Sequence, residues 1–223
     1  MDRGLQPDEI IRSDRKTLSL VIDPFGRLIV RAPKRCAQER IFAFIRDKEK
    51  WILRKQAACK KTAVELPNAG LSGYRLPVLG EKYTIVLTDA DTISLDTEQK
   101  FLWLPKTKSE ERLVGWLKTN AERIFGVIAK RFAEQMSVRY KSLSVTSART
   151  RWGSCSGENR LHFTFRLLFA PKEIIEYVVV HELAHIRHKN HSAKFWSEVE
   201  KYQPDWKNKR AWLKAHGGLM ELF

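Results

Sequence analysis

The chain reads as an α+β protein in two parts. Residues 1–105 form a mainly β segment with one helix, and residues 106–223 a helical segment with a small sheet. Three observations carry this. Short apolar runs punctuated by Pro, Gly and Asp fill the first part. A long stretch with apolar residues three or four apart opens the second. Between them lies the polar string Pro105-Lys106-Thr107-Lys108-Ser109.

The elements follow in order. Leu18 to Ile22 and Leu28 to Arg31 are apolar runs either side of Asp23-Pro24-Phe25-Gly26, which carries turn chemistry, so they predict a hairpin. Residues 37–60 predict one helix, with Ile41, Phe44, Ile45 and Ile52 near helical spacing. Pro67 to Gly80 predicts a loop. Tyr83 to Leu87, Ile93 to Leu95 and Phe101 to Leu104 predict short strands. Leu113, Leu117, Ala121, Ile124, Ile128 and Phe132 then mark a long amphipathic helix, with Glu110 and Glu111 at its positive end. Strands are expected at Leu143 to Ser147 and Leu161 to Leu167. Pro171 opens a helix that runs through Val178-Val179-Val180 to His181, and another helix begins near Ser192 and ends before Pro204.

Composition narrows the function. The 223 residues hold 41 Lys and Arg against 26 Asp and Glu, a formal charge of +15 and a pI near 9.9. At 43% hydrophobic and 30% charged, the chain is no disordered tail. No apolar run approaches the roughly 18 residues of a membrane span, and no secretory signal is visible after Met1. Cys36, Cys59 and Cys155 are few and far apart, which fits a reducing, cytoplasmic compartment better than a disulfide framework. Residues 106–223 are the more basic part, with 22 Lys and Arg against 12 Asp and Glu. Such charge attracts nucleic acid, nucleotides or acidic partners, or serves solubility alone.

The chemistry centres on His181-Glu182-Leu183-Ala184-His185. Two His four apart share a helix face one turn apart, so both imidazoles can reach one ion. Glu182, angled away, can take a proton from water without occupying the metal. His188 and His191 compete for a third ligand place. On an unbroken helix His188 would sit roughly 10 Å along the axis from His181, with side chains parallel rather than converging. A chain that turns after His188 can fold His191 back over the ion. Asn190 tolerates the left-handed conformation and Ser192 can cap the next helix. His181, His185 and His191 are therefore the expected ligands, with a place left open for water, and His188 a residue near the ligands or facing substrate. Glu198, Glu200 and Cys155 are weaker ligand candidates. His162 reads as a cross-strand partner, His216 as a helix C-terminal residue, and Trp152, Trp196, Trp206 and Trp212 as packing aromatics.

The chain resembles the YgjP-like metallopeptidases, related to the SprT-like and WLM zinc peptidases. The resemblance rests on Arg151-Trp152-Gly153-Ser154-Cys155-Ser156, on Tyr177-Val178-Val179-Val180-His181-Glu182-Leu183-Ala184-His185, on Asn190-His191-Ser192, and on Phe195-Trp196. Arg15-Lys16-Thr17-Leu18-Ser19-Leu20 and Val30-Arg31-Ala32-Pro33 also match. It implies a zincin-like domain over 106–223 preceded by a β-rich accessory domain over 1–105. It also implies Zn²⁺ on His181, His185 and His191, with Glu182 as the base. Relatives usually carry Leu-Asn-Trp in the strand before the zinc helix, where this chain has Phe163-Thr164-Phe165. The similar metzincins have Gly where His188 stands, so this chain must turn differently.

The expected reaction is metal-assisted hydrolysis of a peptide or protein. The strand Leu161 to Leu167 would hold an extended peptide by edge pairing, Arg149 or Arg151 would face the developing oxyanion, and Arg151 and His188 are the candidate substrate-binding residues. Two alternatives use the same residues: hydrolysis of a nucleotide phosphoanhydride drawn in by the basic surface, or a DNA-docking module with a structural metal. No membrane partner is expected.

Overall fold

The computed structural model describes residues 5–22, 26–61 and 70–223, with the backbone alone for 58–61. The chain divides into two compact units, Met1–Glu65 with Lys214–Gly218, and Leu66–Leu213 with Leu219–Phe223.

In the first unit, β1 (Glu9–Ser13), β2 (Ser19–Ile22) and β3 (Leu28–Pro33) form a sheet in the order β1-β3-β2. The expected hairpin partners are β2 and β3, antiparallel, with Leu20 opposite Val30. Its turn residues Asp23 to Phe25 lie outside the described residues. Local patterning does not foretell β1, because its pairing is made from afar. It runs parallel to β3, and just before it Asp8 N donates to Leu28 O at 2.8 Å while Leu28 N donates to Asp8 Oδ2 at 2.6 Å. Arg12 Nη1 donates to Cys36 O at 2.7 Å. The single helix expected over 37–60 is two, α1 (Gln38–Asp47) and α2 (Glu49–Lys61), joined at Lys48. Lys48 N is shared between the carbonyls of Phe44 and Ile45, which tightens the last turn, and Lys48 O accepts from Ile52 N at 2.9 Å, so a helix restarts at once. Ile41, Ile45 and Ile52 bury against Leu28, Val30 and Ala32.

The second unit opens with β4 (Arg75–Val78), β5 (Glu81–Thr88), β6 (Ser94–Asp96) and β7 (Phe101–Pro105), ordered β4-β5-β7-β6. β4 occupies part of the stretch expected as a loop. Pro77 is tolerated because β4 is an edge strand. Leu79 and Gly80 both take positive φ (54° and 90°), the two-residue turn that suits a twisted hairpin. The expected boundary after residue 105 falls inside this unit. Leu79 N donates to Leu168 O at 2.8 Å, and Gly80 lies so close to Pro171 that an added Cβ would meet Pro171 Cα at 3.3 Å.

The long helix is α3 (Ser109–Gln135), burying Leu113, Leu117, Ala121, Phe125, Ile128 and Phe132. Phe125 continues the four-residue step inward where Ile124 was expected, and Ile124 is half-buried. β8 (Ser142–Thr146), β9 (Gly153–Cys155) and β10 (Arg160–Thr164) form a second sheet in the order β8-β10-β9, with β10 parallel to β8 and antiparallel to β9. The strand expected to reach Leu167 stops at Thr164, whose side chain accepts from Arg166 N and starts a 3-10 turn over Phe165–Phe169. Apolar alternation suggested a one-sided strand, but the whole turn is buried. Arg166 is buried too, its guanidinium donating to Leu222 O (2.7 Å) and Ser147 O (2.9 Å), and burial lowers its pKa to about 10. α4 (Lys172–Ala184), α5 (Ala193–Tyr202) and α6 (Trp206–Ala215) complete the elements. No helix among the described residues is long and apolar enough to cross a membrane.

The Phe125 ring packs edge-on to Phe163, 5.7 Å between centroids, and so joins α3 to β10. Phe125→Ala is expected to cost about 3–5 kcal/mol, read from urea unfolding midpoints. Val127→Ala, one turn face away and 67% exposed, should stay within about 0.5 kcal/mol.

Candidate metal centre

α4 ends at Ala184, and the chain turns immediately after His185. Ile186 N donates to Leu183 O, and Arg187 N and His188 N both donate to Ala184 O. The reversal thus comes earlier than expected, and no residue from 185 to 192 takes positive φ. Asn190 serves as a turn former: its Oδ1 accepts from Ser192 N at 3.3 Å. Ser192 occupies the N-cap position of α5 without a side-chain cap bond.

This turn brings three histidines together. One ring nitrogen from each of His181, His185 and His191 lies within 4.8 Å of the others. The Nε2 atoms of His181 and His191 face each other at 3.0 Å. His185 Nδ1 lies 3.0 Å from His188 O; donation to that carbonyl leaves the Nε2 lone pair free. His188 therefore serves the cluster through its main chain, and its ring is half-buried. Phe195 packs against all three imidazoles at 4.5–4.9 Å. Trp196 stacks on His191 at 5.5 Å and on Trp206 at 4.1 Å, with the Arg210 guanidinium over its ring.

Burial favours the neutral form of the two helix imidazoles, His181 and His185. Burial lowers the His181 pKa to about 3, and His185, His191 and Arg210 add to the effect. Burial also lowers His185, against the pull of the His188 carbonyl. Neutral imidazole is the form that binds a cation. A tetrahedral zinc with bonds of about 2.0–2.1 Å would set ligand nitrogens roughly 3.3 Å apart, close to the 3.0 Å seen between two of them. His181 Nδ1 is buried without a hydrogen-bond partner. Two facing ring nitrogens need a proton between them or a cation to take both lone pairs, and the donor set suits zinc.

Glu182 is 6% exposed, and β9 crosses directly over it. A Cβ added to Gly153 would meet Glu182 Cγ at 2.9 Å, Glu182 Oε1 at 3.0 Å and Phe163 Cδ1 at 3.0 Å. Only glycine lets the strand approach so closely. Burial raises the Glu182 pKa to about 8, while Arg151 pulls it down. This role of Gly153 is absent from the sequence reading. The signal was the glycine inside Arg151-Trp152-Gly153-Ser154-Cys155-Ser156, but no local period says what it faces.

Other candidates sort by their partners. Glu198 is 4% exposed and bonded to Arg187 and Lys201, so it is no ligand; burial would raise its pKa, yet these two cations hold it below the ordinary carboxylate range. Glu200 is exposed, outside the cluster. Arg149 is committed to Phe223 O and Glu221. Arg151 is exposed, and its charge acts on the Glu182 carboxyl. His162 is a cross-strand partner, its Nδ1 2.7 Å from Ser144 Oγ. Cys155 is half-buried, and burial raises its thiol pKa. β10 has strands on both sides, so its edges are taken, and the outer edge next to Glu182 belongs to β9.

Gly153→Ala is expected to lower stability by about 1–3 kcal/mol through overpacking. Gly157→Ala, where an added Cβ meets nothing within 4 Å, should shift it by no more than about 0.5 kcal/mol. Paired urea titrations of the two variants check this.

The family model of the YgjP-like metallopeptidase domain matches residues 16–216. Similar solved structures include the metallopeptidase zymogen abylysin of Pyrococcus abyssi, 20% identical with a TM-score of 0.38, covering 40% of this chain and 90% of that one. The metallopeptidase zymogen jannalysin of Methanocaldococcus jannaschii is 18% identical with a TM-score of 0.36, covering 40% and 92%. No curated protein matches the chain. With its matched segment spanning both the early strands and the histidine cluster, this chain belongs to the YgjP-like metallopeptidase family.

Proposed function

We propose that the chain is a zinc-dependent peptidase in which His181, His185 and His191 hold the ion and Glu182 is the general base. The observation that supports it most is the meeting of three imidazoles beside a buried carboxylate. Bound zinc supplies Lewis acidity, lowering the pKa of water toward ~7 and polarising a peptide carbonyl. Glu182 takes a proton from the attacking water at a carboxylate oxygen and passes it to the departing amine. Its burial favours the protonated form and so suits the second half of that transfer. An extended peptide pairs with the outer edge of β9, and the glycine contact at Gly153 keeps that strand against Glu182. Arg151 and His188 face the substrate.

In this reading the hydrolytic machinery lies within 106–223, and residues 1–105 are accessory to it, with the β4-β5-β7-β6 sheet in the same compact unit as the machinery. Sparse cysteines, with Cys36 and Cys155 unpaired, favour a reducing, cytoplasmic setting. Membership of a metallopeptidase family favours a peptide or protein substrate over nucleotide hydrolysis or DNA docking.

Two measurements test the proposal. Glu182→Gln should retain about one zinc per chain by elemental analysis and lose turnover by roughly 10²–10⁴-fold in a peptide-library assay. Wild-type turnover in that variant removes Glu182 as the base. His191→Ala should purify without stoichiometric zinc, and a chelator should abolish wild-type cleavage until zinc is returned. Full zinc content in His191→Ala removes it from the ligand set.

A further inference from the structure

The open face of the β8-β10-β9 sheet carries groups that hydrolysis does not use. Strand register sets His162 between Ser144 on β8 and Ser154 on β9, with Thr164 beside Thr146 two residues along. Side chains alternate faces, so this row points away from the face on which Phe163 meets Phe125 and Gly153 meets Glu182. Thr146, Arg151, Ser154, His162 and Thr164 line a pocket of about 270 Å³ there.

The lining is chemically one-sided. It offers the Ser154 hydroxyl, the His162 imidazole and the Arg151 guanidinium, and no carboxylate; the Thr146 and Thr164 hydroxyls are spent on Phe163 O, Ala148 N and Arg166 N. His162 spends Nδ1 on Ser144, which leaves Nε2 for another partner. Among the described residues, the Arg151 guanidinium makes no hydrogen bond or ion pair and feels only the longer-range pull of the Glu182 carboxyl, and the Ser154 hydroxyl makes no hydrogen bond. A peptide paired with the outer edge of β9 sends alternate side chains to this face. Residues 106–223, with 22 Lys and Arg against 12 Asp and Glu, draw acidic chains toward it.

We propose that this pocket receives the carboxylate of an Asp or Glu side chain from a peptide lying along β9, with Arg151 as its ion-pair partner and Ser154 and His162 as hydrogen-bond donors. The inference rests on the peptidase reading and names its substrate class: acidic peptides.

The test uses the full chain carrying Glu182→Gln, titrated by fluorescence anisotropy with pairs of unstructured peptides that differ only in Glu or Gln at successive positions. At alternate positions the Glu peptide should bind about tenfold tighter than its Gln twin at low salt. The Glu-to-Gln ratio should fall to about one when Arg151→Gln is added and recover in large part with Arg151→Lys. A ratio near one at every position, a ratio indifferent to Arg151→Gln, or no measurable binding of any Glu peptide overturns the subsite. So does free glutamate that competes as well as the peptide. Wild-type cleavage of the same peptides is read alongside. Cleavage without Glu preference removes the subsite and leaves the peptidase standing; Arg151-dependent preference without cleavage does the reverse.

Discussion

The site depends on how the chain reverses after His185. No glycine or left-handed residue makes that turn. Arg187 holds it, its guanidinium donating to Glu198 on α5 and to the carbonyls of Met136 and Ser137 at the end of α3. Glu198 is almost fully buried and also takes Lys201, so the carboxylate is compensated from two sides. One side chain thus ties three helices around the loop that carries His191. The clamp fixes the start of α5 and with it the place of His191 beside His181 and His185.

Around the cluster, packing and charge act together. Phe195 touches all three imidazoles, and the Trp196–Trp206 stack backs His191 with Arg210 above it. These aromatics cover faces of the imidazoles and supply no hydrogen bonds to them. Desolvation favours the unprotonated form of His181 and His185, the form that binds a divalent cation. The same desolvation acts on Glu182 with the opposite outcome for its proton, since burial penalises charge in either group. Burial thus favours the acid form of the carboxyl and the base form of the two helix imidazoles beside it.

The sheet β8-β10-β9 has two faces with different work. One packs on α3 and α4 through Phe163 and Gly153, fixing the distance between the outer strand and Glu182. The other is open, and there, among the described residues, the Ser154 hydroxyl and the second ring nitrogen of His162 make no hydrogen bond, while the Thr146 and Thr164 hydroxyls are bonded within the fold. Because β10 lies in the middle, β9 presents the outer edge, three residues long and anchored by the turn from Ser156 to Asn159.

Short-range geometry was legible from residues alone. The step of α3, the hairpin of β2 and β3, and the one-turn spacing of His181 and His185 follow from helix and strand periods that act over a few residues. The family resemblance likewise sat in contiguous strings. Other features depend on pairings between distant segments: the middle place of β10, the end of its strand at Thr164, the spending of Arg149 on Phe223 while Arg151 acts on Glu182 only through its charge, and the need for glycine at 153. No period in the sequence encodes which residue lies across a gap closed by tertiary packing. The sequence therefore determined which groups this protein can bring to a reaction, and the tertiary structure alone decided which of them stand within reach of one another.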